Sequence, residues 1–453
     1  MKKIPLKILK YMLKQLARLT IWRFKPQIIG ITGSVGKTST KEAVFAVLSA
    51  RDGNRLKIRK SEGNLNNELG MPLAILGDWS KEDLKLISRG QPAGTEKIKK
   101  LFFWWKVIFL SKVRLIASFF SNKLDYPKIL ILEYAADRPG DIKYLLEMAK
   151  PNIAIATTIG EIPSHIEFFS GPEAVVKEKA KLIELLPANG FAILNYDNEI
   201  IINMKEKTSA RIISFGFGDG ADMKISGLKN FSRGLLEEPP EFGSSFKLEY
   251  GGSFAPVNLK NTFGKAQSYA SAAAACVGLI FDLNLVEISE ALSQNYHPAK
   301  GRMNLIKGVK NSYIIDDAYN ASPISMQEAI ETLSSLEATS PEGKPSASYG
   351  ARKIAVLGDM LELGKYSIEA HESLGRLAAK IVDVLVVVGL RAKFVAEAAR
   401  NEGFPENKIM VFDSASEARG AVQNLIKPGD LVLIKASRAI GLDKIVEEIR
   451  EIK

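Results

Sequence analysis

Residues 30–42 read GITGSVGKTSTKE, and this stretch decides the fold. It joins the apolar run QIIGIT (27–32) to the amphipathic stretch TSTKEAVFAVLSA (38–50), so the sequence predicts a strand, a glycine-rich turn and a helix in succession. In that arrangement backbone N–H groups and the helix N-terminus face a bound phosphate. The common phosphate-binding loop places its first glycine where this chain has Ile31, so the spacing predicts a nucleotide loop of a different type.

The rest of the chain alternates short, continuous apolar runs with amphipathic stretches. Such runs between helices are typical of a doubly wound, mostly parallel sheet, and we therefore predict an α/β fold. The predicted strands of the first series are 27–32, 128–134, 152–158 and 191–197, and those of the second are 312–319, 353–359, 384–389 and 431–437. The predicted helices are 38–50, 141–149, 172–186, 266–281, 325–336 and 367–381.

The two series predict two domains after a short N-terminal segment. We assign 1–26 to a basic apolar segment, 27–303 to a central nucleotide-binding domain, and 304–453 to a Rossmann-like α/β domain. The central domain carries a basic apolar insertion at about 82–126. Residues 207–258, rich in Gly, Ser and Phe, predict a small antiparallel excursion.

Composition and charge narrow the class of protein. Hydrophobic residues make up 46% of the 453 residues and charged residues 25%, as in an ordinary globular protein. The one cysteine, Cys276, cannot form an internal disulfide, which is typical of a reducing compartment and predicts a cytoplasmic location. The net charge of +11 comes from two segments: 1–25 carries eight Lys/Arg and 97–123 carries seven, with no acidic residue in either.

These two basic segments are also apolar and aromatic. Neither has the roughly 18 uncharged residues that a spanning helix needs, and the first lacks the features of a signal peptide. Lys and Arg among aliphatic and aromatic residues favour helices lying in a membrane interface, so we predict peripheral contact with the inner face of the membrane. The alternative is a pair of helices packed on the body of the protein, with their lysine stems covering apolar surface. The apolar content is too high for a nucleic-acid surface.

Charged and polar residues follow several of the predicted strands. Lys37 would reach the phosphates of a nucleotide and the Thr38 hydroxyl would bind Mg²⁺, while Glu133 ends a buried strand where α/β sheets bind ligands. His165, in the loop after the next strand, is by itself more often structural. Lys177, Lys179 and Lys181, taken alone, are typical of a solvated helix face, and the stretch SEGNLNNELGMP (61–72) is typical of a turn.

Five motifs together resemble the Mur ligases, and within them the MurF type. The family loop runs Thr-Gly-x-x-Gly-Lys-Thr/Ser, which residues 32–38 match. The stretches 63–76, 314–326 and 354–364 are similar to MurF patterns, and 435–446 is a looser match. The resemblance implies an ATP- and Mg²⁺-dependent ligase of peptidoglycan synthesis. Its substrates would be D-alanyl-D-alanine and a muramoyl-tripeptide, and its mechanism would pass through an acyl phosphate.

The resemblance also implies roles for individual residues. ATP would be bound by Thr32, Gly33, Ser34, Val35, Gly36, Lys37, Thr38, Ser39, Arg302, Asp317, Tyr319 and Asn320. Thr38, Glu133 and His165 would hold Mg²⁺; Lys37 and His165 would act in catalysis together with Lys179, which matches the lysine that becomes a carbamate in these enzymes. The substrates would be bound by Asn64, Asn66, Asn67, Asp359, Glu362, Ser437 and Arg438.

The chain departs from the family pattern at its N-terminus, ahead of the Ala-rich helix, and near the C-terminus, where Ala436, Ala439 and Gly441 replace residues of the Gly-Ser-Arg-Gly pattern. Because only about 26 residues precede the loop, we expect the family's usual N-terminal UDP-binding domain to be absent, and a lipid-linked acceptor is an alternative to a UDP-linked one. The family's His-Asn-x-x-Asn reads Ala266-Gln267-Ser268-Tyr269-Ala270 here, so the contacts to adenine must differ. The alternatives are a Mur-like ligase of another carboxylate and a nucleotide-binding relative without activity. The retained set of Lys37, Thr38, Glu133, His165 and Lys179 favours an enzyme.

Overall fold

A computed structural model describes residues 3–50, 57–63, 65–87, 96–121, 125–233, 241–336 and 351–451. The first sheet contains β1 Gln27–Thr32, β2 Ile58–Lys60, β3 Ile129–Glu133, β4 Ile153–Ala156, β5 Phe191–Asn195, β6 Arg211–Gly216, β7 Met223–Arg233, β8 Glu241–Tyr250 and β9 Ser253–Lys260. Their order in the sheet is β2-β3-β1-β4-β5-β6-β7-β8-β9. Pairing is parallel from β2 to β7 and antiparallel from β7 to β9. The predicted antiparallel excursion therefore extends the parallel sheet.

Helices cover both faces of this sheet. They are α1 Lys3–Phe24, α2 Lys37–Ser49, α3 Gly70–Leu76, α4 Lys81–Ile87, α5 Glu96–Phe120, α6 Asp141–Leu146, α7 Pro172–Glu184, α8 Glu199–Ile202, α9 Lys265–Ile280 and α10 Leu285–Asn295. On one face Ile29 and Ile31 pack with the apolar sides of α2 and α9. On the other face Ile28 and Leu130 pack with α3, α6 and α7. Successive side chains of a strand point to opposite faces, so the continuous apolar run of β1 serves both layers.

The second sheet is also built from strands that alternate with helices along the chain. Its strands are β10 Asn304–Gly308, β11 Ser312–Asp316, β12 Lys353–Gly358, β13 Val384–Val388, β14 Ile409–Phe412 and β15 Leu431–Lys435, and its helices are α11 Pro323–Ser335, α12 Ser367–Ala378, α13 Lys393–Asn401, α14 Ala415–Leu425 and α15 Asp443–Ile449. The order is β10-β11-β15-β12-β13-β14, with only the β10–β11 pair antiparallel. The mostly parallel α/β architecture is thus confirmed.

Three edge strands, β2, β10 and β14, were not predicted. β2 has three residues and reads IRK, and β14 has four, only partly buried, so neither carries the continuous apolar pattern of an interior strand. The predicted join at 303/304 falls just before β10 begins at Asn304. Along the ranges that the structure describes, none of the helices is long and apolar enough to span a membrane.

Candidate functional site

The loop between β1 and α2 is shaped by two glycines. Gly36 caps α2 with a φ of 88°, in the left-handed region that favours glycine. A Cβ added to Gly33 would lie 2.0 Å from Thr157 Oγ1, so the loop packs directly on the residue that follows β4. The same Thr157 hydroxyl donates to the Val35 carbonyl at 2.5 Å. The loop is therefore held so that the N-terminus of α2 faces outward from the sheet edge, as phosphate binding requires.

Lys37, the first residue of α2, folds back over this loop. Its Nζ donates to the Gly33 carbonyl at 2.6 Å and to the Ser34 carbonyl at 3.4 Å. Burial lowers the pKa of Lys37, although the charge of Glu133 opposes that shift. A bound phosphate would supply the negative charge that this buried ammonium group lacks, so the site favours an anionic ligand.

Glu133 ends β3 beside the loop, buried among basic residues. Its Oε2 lies 3.4 Å from Thr38 Oγ1, and its Oε1 lies 2.9 Å from Lys41 Nζ. Burial alone would raise the pKa of Glu133, but the charge and hydrogen bond of Lys41, with a further contribution from Lys37, hold that pKa below its usual value. Glu133 is therefore ionised at neutral pH.

The Thr38 and Glu133 oxygens fit a magnesium ion by their chemistry. A hydroxyl and an ionised carboxylate are hard oxygen ligands, which Mg²⁺ prefers. Within the described ranges there is no group of three His, Cys, Asp or Glu side chains arranged for a metal ion. Mg²⁺ would therefore take its remaining ligands from water and from nucleotide phosphates, as it does in most phosphoryl-transfer sites.

Lys179 lies on α7 with its side chain against the same loop. It is fully buried, and its Nζ donates to the Gly33 carbonyl at 3.1 Å. Burial, and after it the positive charge of Lys37, lowers the pKa of Lys179 to about 7. The expectation of a solvated face is wrong for Lys179: Lys177 is exposed and Lys181 pairs with Glu178, whereas Lys179 points inward.

His165 lies in the loop after β4 and touches the second domain. Its backbone has a φ of 66°, and its Nδ1 lies 2.5 Å from Glu362 Oε2. Its Nε2 lies 3.6 Å from Asp137 Oδ1, and the Glu167 N–H donates to the Glu362 carbonyl at 3.2 Å. The predicted metal ligand His165 and the predicted substrate residue Glu362 therefore meet across the domain boundary. Metal ligation by His165 stays a prediction.

Arg302, at the domain join, faces the loop from the opposite side. Its positive charge acts on both Lys37 and Glu133, lowering the pKa of each. Its guanidinium carbon lies 4.3 Å from the centroid of the Tyr319 ring. Arg438 lies 5.0 Å from the same centroid and donates to the Tyr319 hydroxyl at 2.9 Å. The structure thus brings three predicted residues together beside the loop.

Asp317 is committed to a buried ion pair. Its Oδ2 accepts from Lys435 Nζ at 2.5 Å and its Oδ1 from the Met303 N–H at 3.1 Å. Burial raises the pKa of Asp317, and Lys435 opposes the shift. Lys435 also donates to the Asn320 carbonyl at 2.9 Å. The predicted contact of Asp317 with a ribose would have to compete with Lys435, and it stays a prediction.

A small pocket opens beside the loop, between the two domains. On its far side it is lined by Ala266, Tyr269 and Ala270 of α9 and by Glu328 of α11. The Tyr269 hydroxyl donates to Asp197 at 2.9 Å, and burial raises the pKa of Glu328 to about 7. On this wall Tyr269 and Glu328 are the polar side chains within reach of a ligand.

Gln267 does not line that wall. Its Nε2 donates to the Arg302 carbonyl at 3.2 Å, and its Oε1 accepts from the Tyr296 hydroxyl. This amide therefore fixes the domain join rather than a ligand. At the positions of the family's His and second Asn the pocket has Ala266 and Ala270; the change in base contacts stays a prediction.

The asparagine-rich loop is only partly described. Asn67 Oδ1 accepts from the N–H groups of residues 69 and 70, at 3.2 and 2.9 Å, and so holds the turn that precedes α3. The Asn66 carbonyl accepts from the Ala135 N–H at 3.3 Å. Asn64 lies outside the described residues. The turn interpretation holds for Asn67, and substrate binding by this loop stays a prediction.

The residues predicted to bind the dipeptide also accept hydrogen bonds from neighbouring backbone N–H groups. Asp359 Oδ1 accepts from the N–H groups of Arg391 and Ala392, at 3.0 and 2.7 Å, which fixes the turn before α13. Ser437 Oγ accepts from the Leu361 N–H at 2.9 Å. These contacts join the ends of β12 and β15 into one rigid rim. Binding of substrate by Asp359 and Ser437 stays a prediction.

Sequence reasoning missed several residues of this site, notably Lys41 and Lys435. Lys41 lies one helical turn after Lys37 on α2, so it faces the same strand end, and this spacing could have identified it. Lys435 ends the apolar strand β15 as Glu133 ends β3, and the same rule could have been applied to it. Tyr269 and Glu328 carry no motif, and only the packing of α9 against α11 brings them together.

Comparisons with known proteins agree with this geometry. The family model described as the Mur ligase middle domain matches residues 109–265, and that described as the Mur ligase glutamate ligase domain matches 301–438. Among curated relatives, the UDP-N-acetylmuramoyl-tripeptide–D-alanyl-D-alanine ligase of Bacillus subtilis is 28% identical over 97% of this chain and 79% of its own length. The enzyme of the same name from Mycobacterium leprae is 30% identical over 93% of this chain and 72% of its own length.

Solved structures of the same type are also similar. A MurF ligase from Thermotoga maritima in complex with ADP superposes with a TM-score of 0.70 at 25% identity, covering 97% of this chain and 83% of its own. A MurF from Acinetobacter baumannii also gives a TM-score of 0.70 at 25% identity, covering 95% and 79%.

Proposed function

This chain belongs to the Mur ligase family, and from that premise we propose that it is an ATP-dependent ligase that joins D-alanyl-D-alanine to the peptide carboxylate of UDP-N-acetylmuramoyl-tripeptide. The observation that carries the proposal is the convergence of Lys37, Glu133 and Lys179 on one loop, in a chain that aligns along nearly its whole length with ligases of that name. Binding of ADP by the Thermotoga maritima relative supports ATP as the nucleotide.

The reaction would proceed in two balanced steps. A carboxylate oxygen of the acceptor attacks the γ-phosphorus of ATP and ADP leaves, which gives an acyl phosphate. The free amine of D-alanyl-D-alanine then attacks the acyl carbon, phosphate leaves, and the amine loses a proton. In each step the protein's part is to position the reactants and stabilise charge, as in phosphoryl transfer generally.

The loop supplies most of that charge stabilisation. Lys37, now turned to the loop carbonyls, would reach the transferring phosphoryl group, and the N-terminus of α2 would face the remaining phosphates. Thr38 and Glu133 would hold Mg²⁺, which when bound neutralises phosphate charge. Arg302 would approach the nucleotide from the domain join, since its charge already reaches Lys37.

Lys179 suits a carbamate. Carbamate formation needs a neutral amine and carbon dioxide, and a pKa of about 7 leaves much of the Lys179 amine neutral under physiological conditions. The product would carry a negative charge beside Lys37, which relieves the repulsion between the two buried lysines. We therefore include carbamylated Lys179 in the proposed active form.

The second domain would present the dipeptide. Glu362 Oε2 lies 2.5 Å from His165 Nδ1 across the domain boundary, so a dipeptide bound beside this contact would lie next to both domains. The rim formed by Asp359, Ser437 and Arg438 is the proposed surface for D-alanyl-D-alanine, and the loop that holds Asn66 and Asn67 is the proposed surface for the muramoyl-peptide.

The test is a coupled assay of phosphate release with purified protein, ATP and Mg²⁺. We expect release that requires both D-alanyl-D-alanine and UDP-N-acetylmuramoyl-tripeptide, and that is lost in a Lys37→Ala variant. A parallel reaction with a lipid-linked muramoyl-tripeptide distinguishes the two acceptor classes. Absence of release with either acceptor, from protein that binds ATP, would contradict the proposed function.

A further inference from the structure

Helices α1 and α5 pack together along a buried seam. Leu13 and Leu16 of α1 meet Phe103 and Val107 of α5, with α3 beneath them, and all four side chains are buried. Arg23 of α1 donates to a backbone carbonyl of α5. The seam buries one side of each helix, and the opposite sides of α1 and α5 do not take part in it.

The outer side of α5 is apolar and exposed over its whole length. Phe102 is 65% exposed, Trp105 58% and Phe120 87%. The exposed apolar side chains that share one helix face are Ile98, Leu101, Phe102, Trp105, Phe109, Val113, Ile116, Phe119 and Phe120, and Leu110 is exposed to one side of that face. A helix of this length extends about 37 Å at 1.5 Å per residue. Water-exposed apolar surface on this scale marks an interaction site.

Helix α1 continues this surface. Ile8, Tyr11, Leu19 and Trp22 share one exposed face of α1, and Leu6 is exposed on another side of the helix. Trp22 reaches across to Phe119 of α5, with ring centroids 6.4 Å apart. On α5 itself Phe102, Trp105 and Phe109 stack successively at 6.0 and 5.0 Å. We call this continuous face, formed by the outer sides of α1 and α5, the apolar platform.

Cations flank the apolar platform. Lys7, Lys99 and Lys112 are exposed on the same two helices, and across the described ranges no ion pair is formed by any of them. Other lysines of these helices are paired: Lys10 with Glu68, Lys14 with Glu147 and Lys106 with Asp83. The surface thus combines apolar side chains with uncompensated positive charge.

We propose that the apolar platform docks this protein on an anionic lipid bilayer, with the apolar side chains at the headgroup boundary and the cations on lipid phosphates. Charge complementarity decides between the possible occupants. A second copy of this chain would bring two strongly positive surfaces together, and an ordinary apolar protein groove would leave the cations without counter-charges. A negative bilayer surface satisfies both components, and tryptophan is favoured at its interface.

The apolar platform lies next to the proposed acceptor loop. α1 leads directly into β1 and the nucleotide loop, and its Lys10 bonds Glu68 at 2.6 Å within the asparagine-rich stretch. α3, which begins just after that stretch, packs against both α1 and α5. Docking would therefore hold the acceptor side of the ligase close to the membrane surface.

The test measures partition of the full chain between buffer and sedimented vesicles. We expect binding to vesicles of phosphatidylglycerol and phosphatidylcholine in equal parts, little binding to phosphatidylcholine alone, and loss of binding at about 1 M salt, where charges are screened beyond about 3 Å. The variant Phe102→Ser/Trp105→Ser should lower the partition coefficient at least tenfold. The variant Lys99→Gln/Lys112→Gln should lower it roughly fivefold for each cation removed.

Controls make the result interpretable. Phe254→Ser, which removes an aromatic side chain 63% exposed on β9, should leave partition unchanged. Circular dichroism checks that each variant is folded, and ligase assays with UDP-linked acceptor should be unaffected, because the outer face of α5 lies outside the site. The proposal is overturned if wild-type protein stays in buffer at low salt. It is equally overturned if the platform variants bind like wild type, or if their only effect is to dissociate a dimer.

Discussion

Breaking the buried pair of Lys41 and Glu133 from one side should strongly destabilise the central domain. Both side chains are essentially without solvent exposure, and Nζ lies 2.9 Å from Oε1. Lys41→Met leaves Glu133 buried without its main counter-charge, and breaking a buried pair from one side costs about 3–5 kcal/mol. Since a domain is stable by roughly 5–15 kcal/mol, this loss should shift the unfolding transition clearly to lower urea.

Equilibrium unfolding in urea, followed by circular dichroism, measures that shift. The matched control is Lys207→Met, which breaks the exposed pair of Lys207 with Glu184 and should cost less than about 1 kcal/mol. The double variant Lys41→Met/Glu133→Gln should recover much of the loss, because no charge is then left buried and unpaired. If Lys41→Met costs no more than Lys207→Met, the assignment of Lys41 as the counter-charge of Glu133 is wrong.

Three further predictions follow from buried titratable groups. Because the pKa of Lys179 is lowered to about 7, ligase activity should rise as pH increases through 7 and when bicarbonate is added. With carbon-13 bicarbonate, the wild-type enzyme should give a carbamate NMR resonance that the Lys179→Arg variant lacks. Absence of that resonance from active wild-type enzyme would exclude the carbamate. Burial raises the pKa of Glu328 from 4.5 to about 7, so the ionised carboxylate destabilises the fold increasingly as pH rises through that interval. Glu328→Gln should therefore raise thermal stability by up to about 3 kcal/mol at a pH of about 8, but little at a pH of about 5. An equal gain at both pH values would refute the raised pKa. Asp317→Asn should destabilise the second domain by about 3–5 kcal/mol in thermal unfolding, because Lys435 stays buried without its carboxylate, and a neutral effect would show that the pair is not needed.

Strand ends were the most reliable guide to the site from sequence alone. Glu133 follows a continuous apolar run, and in parallel sheets the carboxyl ends of neighbouring strands share one edge. Asp317, the residue after β11, lies at the corresponding edge of the second sheet. These positions depend only on local pattern and on the general topology of α/β folds, so they could be predicted.

The three lysines of α7 lie on two different faces of that helix. Lys177 and Lys181 are four residues apart and share a face, whereas Lys179 is two residues from each and lies on the opposite side of α7. Treating the three as one solvated face ignored that periodicity. Its correct use would have marked Lys179 as the buried one, before any resemblance was considered.

Contacts across the domain boundary could not be predicted from local pattern. His165 and Glu362 are 197 residues apart, and their pairing depends on how one domain packs on the other. The commitment of Asp317 to Lys435 is similar, since it joins the ends of β11 and β15. The two basic apolar segments show the same limit: α1 and α5 pack on the body by one side, as one sequence alternative predicted, and expose apolar side chains on the other, while membrane contact stays a prediction.

Transfer of oxygen from the acceptor to phosphate tests the proposed ligase chemistry most directly. UDP-N-acetylmuramoyl-tripeptide labelled with oxygen-18 in its terminal carboxylate is incubated with ATP, Mg²⁺ and D-alanyl-D-alanine, and the released phosphate is analysed by mass spectrometry. Attack of that carboxylate on ATP predicts that each phosphate carries one labelled oxygen, in equal amount to the amide product. Release of unlabelled phosphate, or label without amide product, would contradict an acyl-phosphate ligase.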